Sequence, residues 1–167
     1  MKMRILSIGF GDKKKVKYEK ANNAGITETY QLVTKDDFRP EILEAYVKAR
    51  ILVNEAFKVF KLFKQEWMKI KSISFKWHKE MPKVITEAKY VLIITNKYGD
   101  ECTLSTSWLS VIDEAPEKLI PLVKEIEMFV QGARAQGTLW EEELEDDAVE
   151  GETFHINDLV QEGEEND

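Results

Sequence analysis

Residues 69–79, KIKSISFKWHK, alternate with a period of two. Ile73, Phe75 and Trp77 fall on one side, and Ser72, Ser74, Lys76 and His78 on the other. A strand with this pattern has one face for a core and one for solvent, and here the solvent face is cationic and rich in hydroxyls. Residues 88–96, AKYVLIITN, are apolar throughout their middle and read as an interior strand. Lys97, Tyr98, Gly99 and Asp100 form a hairpin loop, and residues 102–111 return as the partner strand.

The N-terminal side repeats this character. Residues 2–10 suit a first strand, residues 15–20 alternate as a half-solvated strand, and residues 27–34 supply a third. Gly9, Gly11 and Asp12 mark the first turn, and Asn22, Asn23 and Gly25 the second. From Pro40 to about Trp67 no Gly or Pro interrupts, and Ile42, Tyr46, Ala49, Val53, Ala56, Phe60, Phe63 and Trp67 form a helical seam of period 3.5. Further apolar residues outside the seam suit a helix shared with another subunit, or one buried at the centre of the fold. A second helix starts near Pro116, carries Leu119, Val123, Ile126, Val130 and Ala133 on one stripe, and can be capped by Gly137.

The order is three strands, helix, three strands, helix. The helix starts match: Pro40, Glu41, Leu43, Val47 and Lys48 return as Pro116, Glu117, Leu119, Val123 and Lys124, each 76 positions later. The expected fold is α+β, with two antiparallel sheets and two helices in a duplicated βββα arrangement. Its halves are residues 1–67 and 68–137 of one basic domain.

Charge divides the chain. The net charge is −7, yet residues 1–137 hold 24 Lys and Arg against 18 Asp and Glu, while residues 138–167 hold 13 acids and no Lys or Arg. That last segment has no helical or strand period and reads as a disordered acidic tail. Its island of Phe154, Ile156, Leu159 and Val160 suits a protein partner, such as one acting in replication or recombination.

Catalytic chemistry finds little support. The single Cys102 and the two histidines, His78 and His155, form neither a zinc site nor a recognisable nucleophile–base motif, and no metal or cofactor is expected. Glu87-Ala88-Lys89 before an apolar strand mimics the Glu-x-Lys element of metal-dependent nucleases, a triplet common in chains rich in both residues. No apolar run is long enough to span a membrane, the N-terminus lacks a secretory pattern, and one cysteine fits a reducing cytoplasm.

Polyanion binding finds more. Lys13, Lys14, Lys15 and Lys17 cluster at the first hairpin, and Lys58, Lys61, Lys64, Lys69, Lys71, Lys76 and Lys79 run from the first helix into the next strand. Trp77 and Tyr98 are interleaved as candidates for stacking on unpaired bases, although large aromatics such as Trp77 and Trp108 lean towards the core. Lysine far outnumbers arginine, which favours backbone contacts over base-edge readout. The expectation is a non-catalytic, sequence-tolerant binder of single-stranded nucleic acid, oligomeric through its first helix, with the tail competing for the basic surface. The alternative is a protein-interaction module or inhibitor whose tail mimics nucleic acid and whose first helix is the partner surface.

The order of elements over residues 1–137 resembles the Whirly-type single-stranded DNA-binding proteins, with three strand candidates per half where that family has four. The resemblance implies two strand-rich sheets each leading into a helix, single strands bound along sheet edges, assembly through the helices, and an acidic tail.

Overall fold

Residues 3–56 and 68–133 are those described by the computed structural model of the chain. Their strands are β1 (Met3–Phe10), β2 (Lys14–Ala21), β3 (Thr27–Thr34), β4 (Met68–Trp77), β5 (Ile85–Thr95), β6 (Glu101–Ser105) and β7 (Leu109–Ser110). The helices are α1 (Pro40–Ala56), α2 (Ala115–Lys118) and α3 (Ile120–Val130). The expectation of two sheets is corrected. All seven strands form one antiparallel sheet, ordered β3-β2-β1-β4-β5-β6, with β7 also on β5. β1 joins β4 across the middle through Ser7–Ser74, Ile8–Ile73 and Gly9–Ser72, which fuses what the local pattern presents as separate meanders.

The join is self-similar. MRILSIGF of β1 and MKIKSISF of β4 match at Met3/Met68, Ile5/Ile70, Ser7/Ser72, Ile8/Ile73 and Phe10/Phe75, each 65 positions apart, with Arg4 against Lys69. Both strands carry a bulge at the same place, Leu6 in β1 and Lys71 in β4. The Ile8–Ile73 pair therefore lies on a local twofold, which exchanges the Ser7–Ser74 pair with the Gly9–Ser72 pair.

The loops after β2 and β5 match as well. Asn22 Oδ1 accepts from Ala24 N–H and Ile26 N–H, and Asn96 Oδ1 accepts from Tyr98 N–H and Asp100 N–H. Gly25 and Gly99 take positive φ, 78° and 88°, at equivalent positions in these turns.

The core lies on one side of the sheet. Ile5, Ile8, Val16, Ile73, Ile85, Tyr90 and Leu92 point there and are almost fully buried, beneath Ile42, Ala49 and Val53 of α1 and Leu122, Ile126 and Phe129 of α3. Arg39, in the approach to α1, binds Glu125 of α3 at 2.6 Å, and Lys118 of α2 pairs with Glu55 of α1.

The remaining differences have local causes. The second helix breaks at Leu119 because Pro121 lacks an amide donor, which leaves α2 and α3. It ends at Val130 and not near Gly137; Gly132, at φ 105°, accommodates the turn while Ala133 N–H donates to the Met128 carbonyl. The expected strand at 102–111 is interrupted between β6 and β7. There Thr106 Oγ1 accepts from Tyr90 N–H and Thr106 N–H donates back to the Tyr90 carbonyl. The expected helix beyond Ala56, the tail 138–167 and its island Phe154, Ile156, Leu159 and Val160 lie outside the described residues.

Candidate nucleic-acid interface

Pleating assigns each strand residue to a face, and directly paired residues share one. With Ile8, Val16 and Ile73 on the helix side, the opposite face receives Arg4 and Ser7 of β1 and Lys15 and Lys17 of β2. It also receives Lys69, Ser72, Ser74 and Lys76 of β4 and Lys89 of β5. Lys71 is exposed in the β4 bulge. The acids assigned to this face are Glu19, Glu87 and Glu101. No strand residue on this open face is fully buried among the described residues.

The centre of the face is low. Ser7, Gly9, Ser72 and Ser74 surround the local twofold, and a side chain on Gly9 would meet Lys15 Cβ at 3.7 Å. Longer cationic side chains stand around this floor. Neighbouring like charges repel within a screening distance of about 8 Å, so a polyanion laid across the floor relieves that repulsion.

Lys76 is the best-defined of these groups. Its Nζ binds Glu87 at 2.9 Å and lies 4.3 Å from the ring centroid of Trp108. Trp108 sits where β6 gives way to β7 and is 37% exposed, so its lean towards the core is not met. Tyr98 is 77% exposed at its hairpin tip, with Lys97 over its ring at 4.9 Å. Trp77 stands differently. It is half-buried against the core on the helix side, and its indole N–H donates to the Ile5 carbonyl at 2.7 Å.

The lysines expected at the first hairpin divide. Lys15 and Lys17 reach the open face and Lys13 is exposed in the turn. Lys14 turns to the other side, 3.6 Å from Asp37 and 5.7 Å from the centroid of Phe38. Of the second group, Lys69, Lys71 and Lys76 belong to the face or its bulge, and Lys79 is exposed in the loop after β4. Lys58, Lys61 and Lys64 lie outside the described residues. Arg4 and Lys89 are not among the nucleic-acid contacts expected from sequence. The match of Arg4 to Lys69 within the repeated strand was the available signal for the first, and the alternation of β5 for the second.

β1 and β4 diverge on either side of their three-pair join, and a cleft opens at each end. One, of about 440 Å³, has Phe10, Phe38, Leu43 and Tyr46 along its walls and Lys69 and Lys71 at its rim. The other, of about 780 Å³, is lined by Arg4, Leu6, Phe75, Lys76 and Trp77 among others. The repeat relates them: Phe10 answers to Phe75, Lys69 to Arg4 and Lys71 to Leu6.

Candidate catalytic groups are not brought together. Cys102 pairs with Ile94 at one end of β5, whereas His78 follows Trp77, which pairs with Ile85 at the other. That separation is about 30 Å along an extended strand. Glu87 and Lys89 share the open face, with Glu87 bound to Lys76. Among the described residues no three His, Cys, Asp or Glu side chains gather in a way that could hold a metal ion. Nor does any helix among them have the length and apolarity to cross a membrane.

No family model, curated protein or solved structure matches the chain.

Proposed function

We propose that this protein binds single-stranded nucleic acid without catalysis and with little sequence preference, using the open face of its sheet. One observation carries the reading: the helices take one side of the sheet, and Arg4, Lys15, Lys17, Lys69, Lys76 and Lys89 are assigned to the other. Ammonium groups over a floor of serines suit phosphates, while Trp108 and Tyr98 offer exposed rings to unpaired bases. The acidic segment 138–167 acts as an intramolecular competitor for the same surface, or recruits a protein partner through Phe154, Ile156, Leu159 and Val160. Leu43, Val47 and Ile51 make an exposed apolar stripe on α1, at 57, 42 and 39% exposure, which supports self-association through that helix.

The repeated strand, the shared bulge position and the paired Asn-x-x-Gly turns support a duplicated βββα origin, with the two halves merged into one sheet. The order of elements also supports the likeness to Whirly-type proteins.

The test is binding of a labelled oligothymidylate by the full chain and by a chain ending at residue 137. The shortened chain binds more tightly on this reading. If the protein is instead an interaction module whose tail mimics nucleic acid, neither form binds the oligonucleotide, and removal of the tail abolishes capture of a basic partner. In this second reading the exposed α1 stripe is the partner surface.

A further inference from the structure

We propose that the smaller cleft, where β1 and β4 diverge beyond Gly9 and Ser72, receives one unpaired nucleobase from a strand lying on the open face. This rests on the nucleic-acid reading above and adds a specific base site to it.

The cleft has the chemistry of a base and its phosphate together. Its volume of about 440 Å³ falls within the range of small-ligand pockets. Its walls are aromatic and packed on one another: Phe10 meets Tyr46 edge-on at 4.9 Å and Phe38 edge-on at 5.9 Å. Lys69 and Lys71 stand at the rim, where the phosphates flanking an inserted base would lie. Asp37, the acid in the lining, is offset by Lys14 at 3.6 Å.

A polar handle completes the site. Tyr46 Oη accepts from Ile70 N–H at 2.7 Å, and its own proton meets no acceptor among the described residues. That proton is available to a base carbonyl. The lining also spans both layers, with Lys69 and Ile93 on the open-face side of the sheet and Leu43 and Tyr46 from the helix. A base can therefore leave a strand on the open face and enter without displacing core residues.

The related cleft argues for the difference between the two ends. Where the smaller cleft has Gly11, the repeat places Lys76, which is occupied with Glu87 and Trp108. Among the described residues, glycine at this position adds no side chain to the smaller cleft.

The experiment compares two oligonucleotides of equal length, oligothymidylate and its fully abasic counterpart, by fluorescence anisotropy at one salt concentration. Wild type binds the intact strand more tightly, and Leu43→Trp, which fills the cleft from an exposed wall position and leaves the α1 stripe apolar, lowers that preference about tenfold while leaving abasic binding nearly unchanged. Gly11→Leu is the independent second variant: a Cβ there meets nothing closer than Lys13 O at 3.8 Å, so it obstructs the cleft without straining the turn, and it has the same effect. If both variants keep the wild-type preference, or if either weakens intact and abasic strands equally, the base site is wrong while the open-face reading stands. If wild type binds neither strand, the open-face reading itself falls, and the base site with it.

Discussion

The indole N–H of Trp77 donates to the main-chain carbonyl of Ile5 at 2.7 Å, tying β4 to β1 beyond the last paired residues of their join. At Ile70, the residue that answers to Ile5 in the repeat, the amide donates to the hydroxyl of Tyr46. Each end of the short join is thus completed by an aromatic side chain, because main-chain groups that lose a ladder partner need another.

Trp77→Phe keeps most of the apolar contact and deletes the donor. The Ile5 carbonyl then loses its partner, and stability falls by about 1–3 kcal/mol. Chemical denaturation measures the loss. The salt dependence of oligonucleotide binding stays as in wild type, since Trp77 belongs to the helix side of the sheet.

Tyr90 is fully buried, and its hydroxyl has no hydrogen-bond partner among the described residues. Burial pushes the phenol well above its ordinary value, and Tyr46 is raised chiefly by the same cause. Below about pH 10 both folded and unfolded chains hold these protons. Above it the unfolded chain releases them while the folded chain retains them, so stability falls as pH rises. Tyr90→Phe is expected to match or exceed wild-type stability at neutral pH, by up to about 1 kcal/mol, and to decline less steeply above pH 10. Denaturation midpoints across pH 8–11, a window set by the ordinary tyrosine value of about 10, give both comparisons.

Glu87 holds Lys76 at 2.9 Å, to one side of the serine floor on the open face. Glu87→Gln removes the charge and frees the lysine, so affinity for a single strand rises, by about 2- to 5-fold given the modest worth of an exposed ion pair. A metal-dependent nuclease acting through Glu87 would instead lose strand cleavage on the same substitution, and a gel assay with magnesium reads that outcome.

Trp108 offers its ring beside Lys76. Trp108→Ala weakens binding to an oligothymidylate by about 1–3 kcal/mol, the worth of one stacked base, with little effect on the abasic strand. Equal weakening of both would assign Trp108 to holding Lys76 in place and not to stacking.

Much of the fold was legible locally. Alternation at residues 69–79 correctly divided β4 into a core side and a solvent side, and Pro40 marked the start of α1. The single sheet was not legible, because the pairing of Ile8 with Ile73 is long-range and leaves no local pattern. The repeated strand was in the sequence but hidden by a change of spacing. β1 and β4 match at an offset of 65, the Asn22 and Asn96 turns at 74 and the helix starts at 76, because β4, β5 and the turn between them are longer than β1, β2 and theirs, and Asn96 lies two residues further from Pro116 than Asn22 does from Pro40. At the site, alternation separates Lys14 from Lys15 and Lys17, whereas clustering in sequence groups them. The exposure of Trp108 follows from the break between β6 and β7, which composition does not signal.

The salt dependence of binding to a single strand tests the central claim most directly. If about five to seven open-face cations neutralise phosphates, log Kobs against log salt falls with a slope of about −3.5 to −5, at roughly −0.7 per contact. A flat response, or no binding at low salt, would contradict the open face as a polyanion-binding surface.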